Sequence, residues 1–157
     1  MTHPFLDHPR CLAFSHRGDR NAGPENTLIA FESAVKQGFR YLETDVHVTT
    51  DGILLAFHDD HLDRVTNGKG AIAELNYDSI RKIRVAGTER IPRLEELLIS
   101  FPDTRFNIDP KSDASVGPLI RLIQNLGVKD RVCVGSFSDR RLRWVRESVP
   151  GICTSMG

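Results

Sequence analysis

The stretch AFSHRGDRNAGPENTLIAF, Ala13 to Phe31, carries an apolar run into His16 and Arg17 and then turns through glycine. An imidazole exchanges protons near neutral pH, and a guanidinium grips phosphate through two parallel N–H donors. Further along lie Glu43-x-Asp45, His58 and Asp109-x-Lys111. Glu43, Asp45 and Asp109 offer oxygen ligands for one hard divalent cation, Mg²⁺ or Ca²⁺, while no Cys/His spacing of the structural-zinc kind occurs. Arg17 and Lys111 would stabilise negative charge on a phosphoryl group. Of His16 and His58, one can take the proton of a nucleophile while the other protonates a departing alkoxide. The chemistry these types imply is hydrolysis of a phosphate ester.

Such groups must be brought together by elements far apart in the chain. Cys11 to Phe14 reads as a first strand, and Leu28, Phe31 and Val35 recur at helical spacing until Gly38. Phe39 to Val48 alternates as a second strand with Tyr41, Glu43, Asp45 and His47 on one face. His47 shares that parity but reads as a partly exposed strand residue rather than a ligand. The chain from Asp45 to Ile53 is too short for a crossover of about a dozen residues, and Asp51-Gly52 is a two-residue hairpin signal. That turn pairs Asp45 with His58, bringing a carboxylate against an imidazole.

Asp59 to Gly70 is a polar excursion and Asp78 to Ile83 a short helix. Helices marked by Leu94 to Phe101, Leu119 to Leu126 and Leu142 to Val149 then alternate with strands Arg105 to Asp109, Arg131 to Val134 and Ile152 to Met156. The hairpin aside, the order is βα four times and then a fifth strand, an α/β chain with a parallel sheet clad by helices. In such sheets working groups collect at the carboxyl ends of the strands, where all seven residues above fall.

Composition narrows the function. Lys and Arg number 21 against 21 Asp and Glu, and with no long basic run the chain has no polyanion-binding signature, so nucleic acid is not the expected partner. The 157 residues suit one core and therefore a single domain over 1–157. The opening MTHPFLDHPR has neither a basic n-region nor an apolar h-region, and no stretch approaches about 18 apolar residues, so a cytoplasmic protein without a transmembrane segment is expected. Cys11, Cys133 and Cys153 sit among apolar neighbours and read as reduced strand residues.

These residues in this order resemble the glycerophosphodiester phosphodiesterase family. The matching segments are His16-Arg17-Gly18, Pro24-Glu25-Asn26-Thr27, Glu43-x-Asp45, Asp51-Gly52, His58-Asp59, Leu62-x-Arg64-x-Thr66-x-x-Gly68-x-Gly70, Ile91-Pro92-x-Leu94-x-Glu96, Asn107-x-Asp109-x-Lys111 and Ser136-Phe137. The resemblance implies a TIM-type (β/α)₈ barrel, here with about five parallel strands, a hairpin arm and a small insertion over 59–90. It implies a small-molecule glycerophosphodiester substrate, cleaved to an alcohol and sn-glycerol 3-phosphate with a divalent cation. Carried over, acid and base fall on His16 and His58, metal ligands on Glu43, Asp45 and Asp109, phosphate contacts on Arg17 and Lys111, and a supporting role on Glu25. In related lipid phosphodiesterases a substrate hydroxyl attacks first, which suggests a cyclic phosphate here.

The chain departs from the family twice. Asp109 stands where glutamate is usual, and the family's last three strands have no counterpart. Unpaired barrel edges would favour self-association. Two other readings stay open: a lysophospholipase D, which an apolar groove beside the site would favour, and a non-catalytic fragment that binds without turnover.

Overall fold

The strand Arg105–Pro110 (β6) shows how this sequence builds its sheet. Phe106, Ile108 and Pro110 are buried outward, while Arg105, Asn107 and Asp109 alternate to the other face. In the computed structural model, which describes residues 3–9 and 11–156, β6 lies at the centre of a parallel arc. Met1, Thr2, Arg10 and Gly157, at the opening segment and chain end considered above, lie outside the described residues. The arc runs β1 (Phe14–His16), β2 (Tyr41–Val48), β6, β7 (Val132–Ser136) and β8 (Cys153–Met156). Short β3 (Leu54–Ala56) returns antiparallel to β2.

Helices α1 (Leu28–Lys36), α3 (Leu94–Ser100), α4 (Asp113–Leu126) and α5 (Asp139–Ser148) share one apolar cluster with the outward side chains of the strands. Phe31, Leu97, Leu119 and Leu142 are fully buried there, each contributing about 1.5–3 kcal/mol of transfer free energy. This is an open portion of a (β/α)₈ arrangement, with the polar ends of β2 and β6 on the inner face. Beneath them Phe5, from the 3₁₀ turn Pro4–Leu6, plugs the inner face against Tyr41 and Cys133, and the Tyr41 hydroxyl donates to the Phe5 carbonyl at 2.8 Å.

Between β3 and α3 the chain leaves the sheet. It forms α2 (Tyr77–Ile80) and the hairpin β4 (Arg84–Val85) with β5 (Glu89–Arg90), around a second small core of Phe57, Leu62, Ile72, Ile80 and Val85. The helix expected over Asp78 to Ile83 is thus one short turn.

Three expectations need correction. The first strand starts three residues later than expected and spans Phe14–His16 rather than Cys11 to Phe14, because β2 offers a partner only from Tyr41, so His16 ends the strand instead of following it. Cys11 is accordingly exposed and outside the sheet. The hairpin after β2 has a three-residue loop: Thr49 N donates to Ile53 O at 3.0 Å, Gly52 N to Thr49 O at 3.0 Å, and Gly52 adopts φ +84. The added residue slips the register, pairing Val46 with Ala56 and His47 with Leu55. Phe57 rather than His58 therefore faces Asp45, with Phe57 N donating to Asp45 O at 2.9 Å.

Candidate active site

Parallel register places the carboxylates. His16 pairs with Glu43, Glu43 with Asn107 and Asp45 with Asp109, so one face at the carboxyl ends of β1, β2 and β6 carries all of them. The chain reverses immediately after β1. Arg17 adopts φ +60, unusual for a residue with a Cβ, and its amide donates to Glu43 O at 3.1 Å. Gly18 follows at φ +85, where a Cβ would lie 2.7 Å from Ala30 Cβ, so only glycine lets α1 approach. Asn26, also left-handed at φ +58 and buried, returns its amide to Arg17 O at 2.9 Å. Two strained residues thus fix the angle at which the Arg17 side chain enters the rim.

Asp45 is the hub. Its carboxylate, 3% exposed, lies 2.9 Å from Arg17 Nε and 2.9 Å from Lys111 Nζ, and accepts from Asn26 Nδ2 at 3.3 Å. The Arg17 Nε contact is a close ion pair rather than an aligned hydrogen bond. Lys111 also donates to Asp109 Oδ2 at 2.9 Å. Burial opposes the Lys111 charge, but Asp45 and Asp109 outweigh it and raise its pKa.

Glu43 lacks such support. Its Oε2 is buried without a hydrogen-bond partner, His16 Nε2 being 3.7 Å away. Burial first and the Asp45 charge second push its carboxyl up to about 7, with Arg17 and Lys111 opposing. Asn107 Oδ1 is a second buried, unpartnered oxygen, one strand away. A buried carboxylate oxygen without a donor, beside Asp45 and Asp109, is the oxygen-rich donor set that suits a hard divalent cation. Among the described residues, however, no three His, Cys, Asp or Glu side chains converge as a metal cluster: Arg17 and Lys111 neutralise the carboxylates.

The histidines differ. His16 is 65% exposed at the rim, its pKa lowered by partial burial and by Arg17. His58 does not pair with Asp45, as the expected register required; its Nδ1 lies 2.6 Å from Asp59 Oδ1. His47 is buried, not partly exposed, and its Nε2 donates to the His58 carbonyl at 3.0 Å, fixing the backbone at that point. Burial lowers the His47 pKa, in keeping with a neutral anchor.

Sequence reasoning assigned no role to Asp59, Arg64 or Asn26. Arg64 donates through Nε and Nη2 to Asp59 at 2.6 and 3.0 Å, and through Nη2 to Glu25 Oε1 at 2.7 Å. Glu25 in turn accepts from Arg17 Nη1 at 3.4 Å. An unbroken line of hydrogen bonds and ion pairs runs from His58 through Asp59, Arg64, Glu25, Arg17 and Asp45 to Lys111. The motifs Pro24-Glu25-Asn26-Thr27, His58-Asp59 and Leu62-x-Arg64 contained these residues, but their meeting depends on contacts between distant parts of the chain.

Comparison with known proteins gives the family and the fold. A family model described as the glycerophosphoryl diester phosphodiesterase family matches residues 16–149. The chain is 40% identical over 140 residues to the probable glycerophosphodiester phosphodiesterase 2 of Mycobacterium tuberculosis, covering 88% of this chain and 53% of that protein. It is 36% identical over 156 residues to the glycerophosphodiester phosphodiesterase of Caldanaerobacter subterraneus, 90% of this chain and 64% of that one. The chain therefore spans between half and two thirds of these relatives' length. Among solved structures, a glycerophosphodiester phosphodiesterase from Agrobacterium tumefaciens superposes with a TM-score of 0.83 at 28% identity, over 90% of this chain and 64% of that one. An Oleispira antarctica phosphodiesterase in complex with the product sn-glycerol-3-phosphate gives 0.84 at 25% identity, over 91% and 64%. Among the described residues no helix is long and apolar enough to cross a membrane.

Proposed function

The chain belongs to the glycerophosphoryl diester phosphodiesterase family, and we propose that its rim hydrolyses glycerophosphodiesters to an alcohol and sn-glycerol 3-phosphate. The observation that carries this reading is the convergence on Asp45: one buried carboxylate holds Arg17 from the end of β1 and Lys111 from the end of β6, each at 2.9 Å. Two cations from separate segments, held at a strand-end rim, form a cradle for a phosphodiester anion.

Arg17 orients the phosphate and Lys111 adds a point charge as negative charge builds on phosphorus-bound oxygen. His16, exposed and with a lowered pKa, is available as the neutral base. His58 is the partner acid: Asp59 holds Nδ1, so Nε2 is the nitrogen that gives a proton to the leaving alkoxide. Glu43, Asp45 and Asp109 are the residues that would hold a divalent cation, which when bound supplies Lewis-acid polarisation of the phosphoryl oxygens. The nucleophile in this reading is the glycerol 2-hydroxyl, giving a cyclic phosphate that water opens; a quenched reaction followed by ³¹P NMR that holds no cyclic ester would contradict that route. Release of sn-glycerol 3-phosphate that requires Mg²⁺ or Ca²⁺ and stops with chelator supports the hydrolase reading, and its absence from folded protein contradicts it.

A further inference from the structure

Beside the rim, the loop after β1 and the excursion between β3 and α3 border an open cavity of about 700 Å³, lined among others by Arg20, Glu25, Arg64, Thr66, Asn67 and Ala86. It adjoins the proposed reacting centre on two sides. Glu25 on its wall accepts from Arg17, and Arg64 holds the Asp59 carboxylate that carries His58.

The chemistry of the wall is one-sided. Arg20 makes no hydrogen bond or ion pair among the described residues. Arg64 commits Nε and Nη2 and leaves both Nη1 protons, and Asn67 commits Oδ1 to the Arg84 amide and leaves Nδ2. Thr66 Oγ1 is already used, donating to Leu62 O and accepting from Gly68 N. Glu25 is the lone carboxylate on the wall. Burial would raise its pKa, but Arg64, Arg17 and Arg20 overcome that and lower it. The wall therefore offers surplus donors and positive charge. No aromatic side chain lines it, and a quaternary ammonium is recognised chiefly by aromatic faces or a free carboxylate. The β4–β5 tip adds little bulk to the lining: Ala86 at φ +48 and Gly87 at φ +80 present only a methyl group, and Ala86 N is tied to Val65 O at 2.8 Å.

We propose that this cavity is the subsite for the alcohol half of the diester and that it takes a polyol in preference to a quaternary ammonium. The inference rests on the hydrolase reading of the rim and adds the class of leaving alcohol. Polyol hydroxyls accept from guanidinium and amide N–H groups, the donors that stand free here.

The test is equilibrium binding by titration calorimetry of glycerophosphoinositol, glycerophosphoethanol and glycerophosphocholine to the chain and to its Arg20→Ala and Asn67→Ala variants, with release of sn-glycerol 3-phosphate measured in parallel. The ethanol ester matches the inositol ester in charge but lacks its hydroxyls. The expected result is binding of the inositol ester about tenfold tighter than of either other ester, with the ratio falling toward one in Arg20→Ala. Both substitutions sit on exposed side chains; Arg20→Ala removes no hydrogen bond among the described residues, and a thermal melt of Asn67→Ala, which loses the bond from Arg84 N, checks that this variant is folded. Equal affinities, tighter binding of the choline ester, no binding of any ester at millimolar concentration, or a preference untouched by both variants would each overturn the subsite. Absence of product from all three esters would overturn the hydrolase reading alone, because the affinity ratio still decides the cavity.

Discussion

Arg64 Nη2 donates to Glu25 Oε1 at 2.7 Å, joining residues 39 positions apart and clamping the excursion after β3 to the loop after β1. The same guanidinium holds Asp59, and Asp59 holds His58. The position of one proposed proton-transfer group thus depends on a contact with the loop that carries Arg17.

Asp59→Asn is expected to lower turnover about tenfold, less than the roughly hundredfold or greater loss expected when the acid–base group itself is removed. Asp59→Glu should recover part of it. The signature of a positioning role is in the ring: ¹⁵N shifts of His58 should show Nδ1 keeping its proton toward Asp59 in the wild type, so that exchange occurs at Nε2, and that fixed Nδ1 proton lost in Asp59→Asn. Unchanged His58 shifts in the variant would remove Asp59 from the mechanism.

Gly18→Ala introduces both an unfavourable left-handed backbone and a Cβ 2.7 Å from Ala30 Cβ. A loss of about 2–4 kcal/mol is expected from urea unfolding. A change below about 0.5 kcal/mol would mean that the loop after β1 yields to the methyl group.

Glu43 makes the stability of metal-free protein pH-dependent. Its folded pKa is raised from 4.5 to about 7, so the folded state holds this proton more tightly than the unfolded chain. The resulting stabilisation is fully present below about 4.5 and is lost as pH rises through about 7, at most about 3 kcal/mol. In chelator, Glu43→Gln should therefore flatten the decline across this window and be the more stable protein at pH 8. A wild type that grows more stable over the same interval because of Glu43, shown by a steeper rise than in the variant, would reverse the sign.

Among the described residues the outer edge of β8 has no partner strand, and Met156 on it is 70% exposed. The 157-residue chain on its own should associate with increasing concentration, measurable by light scattering after size exclusion. A monodisperse monomer with a cooperative, high-temperature melt would contradict this expectation.

Much of the arrangement was legible where periodicity carries it. Phe106 and Ile108 against Asn107 and Asp109 give β6 its two faces from the pattern alone, and the strand-end positions of Arg17, Asp45 and Lys111 follow from the βα order. The hairpin was misread because Asp51-Gly52 signals a two-residue turn. What adds the third residue is a side chain: Thr49 Oγ1 donates to Asp51 Oδ1 at 2.6 Å and accepts from Ile53 N at 2.9 Å. That slip removed the expected Asp45 and His58 pair. The burial of His47 and the bridge from Arg64 to Glu25 depend on packing of the excursion, which no local pattern encodes.

His16 and His58 are expected to carry phosphodiester cleavage at this rim. The most direct measurement is release of sn-glycerol 3-phosphate from a glycerophosphodiester, with divalent cation, by the wild type and by His16→Ala and His58→Ala of matched thermal stability. Metal-dependent product is expected from the wild type, with a loss of at least about a hundredfold in each variant. Equal product from wild type and both variants, or none from the folded wild type, would contradict that expectation.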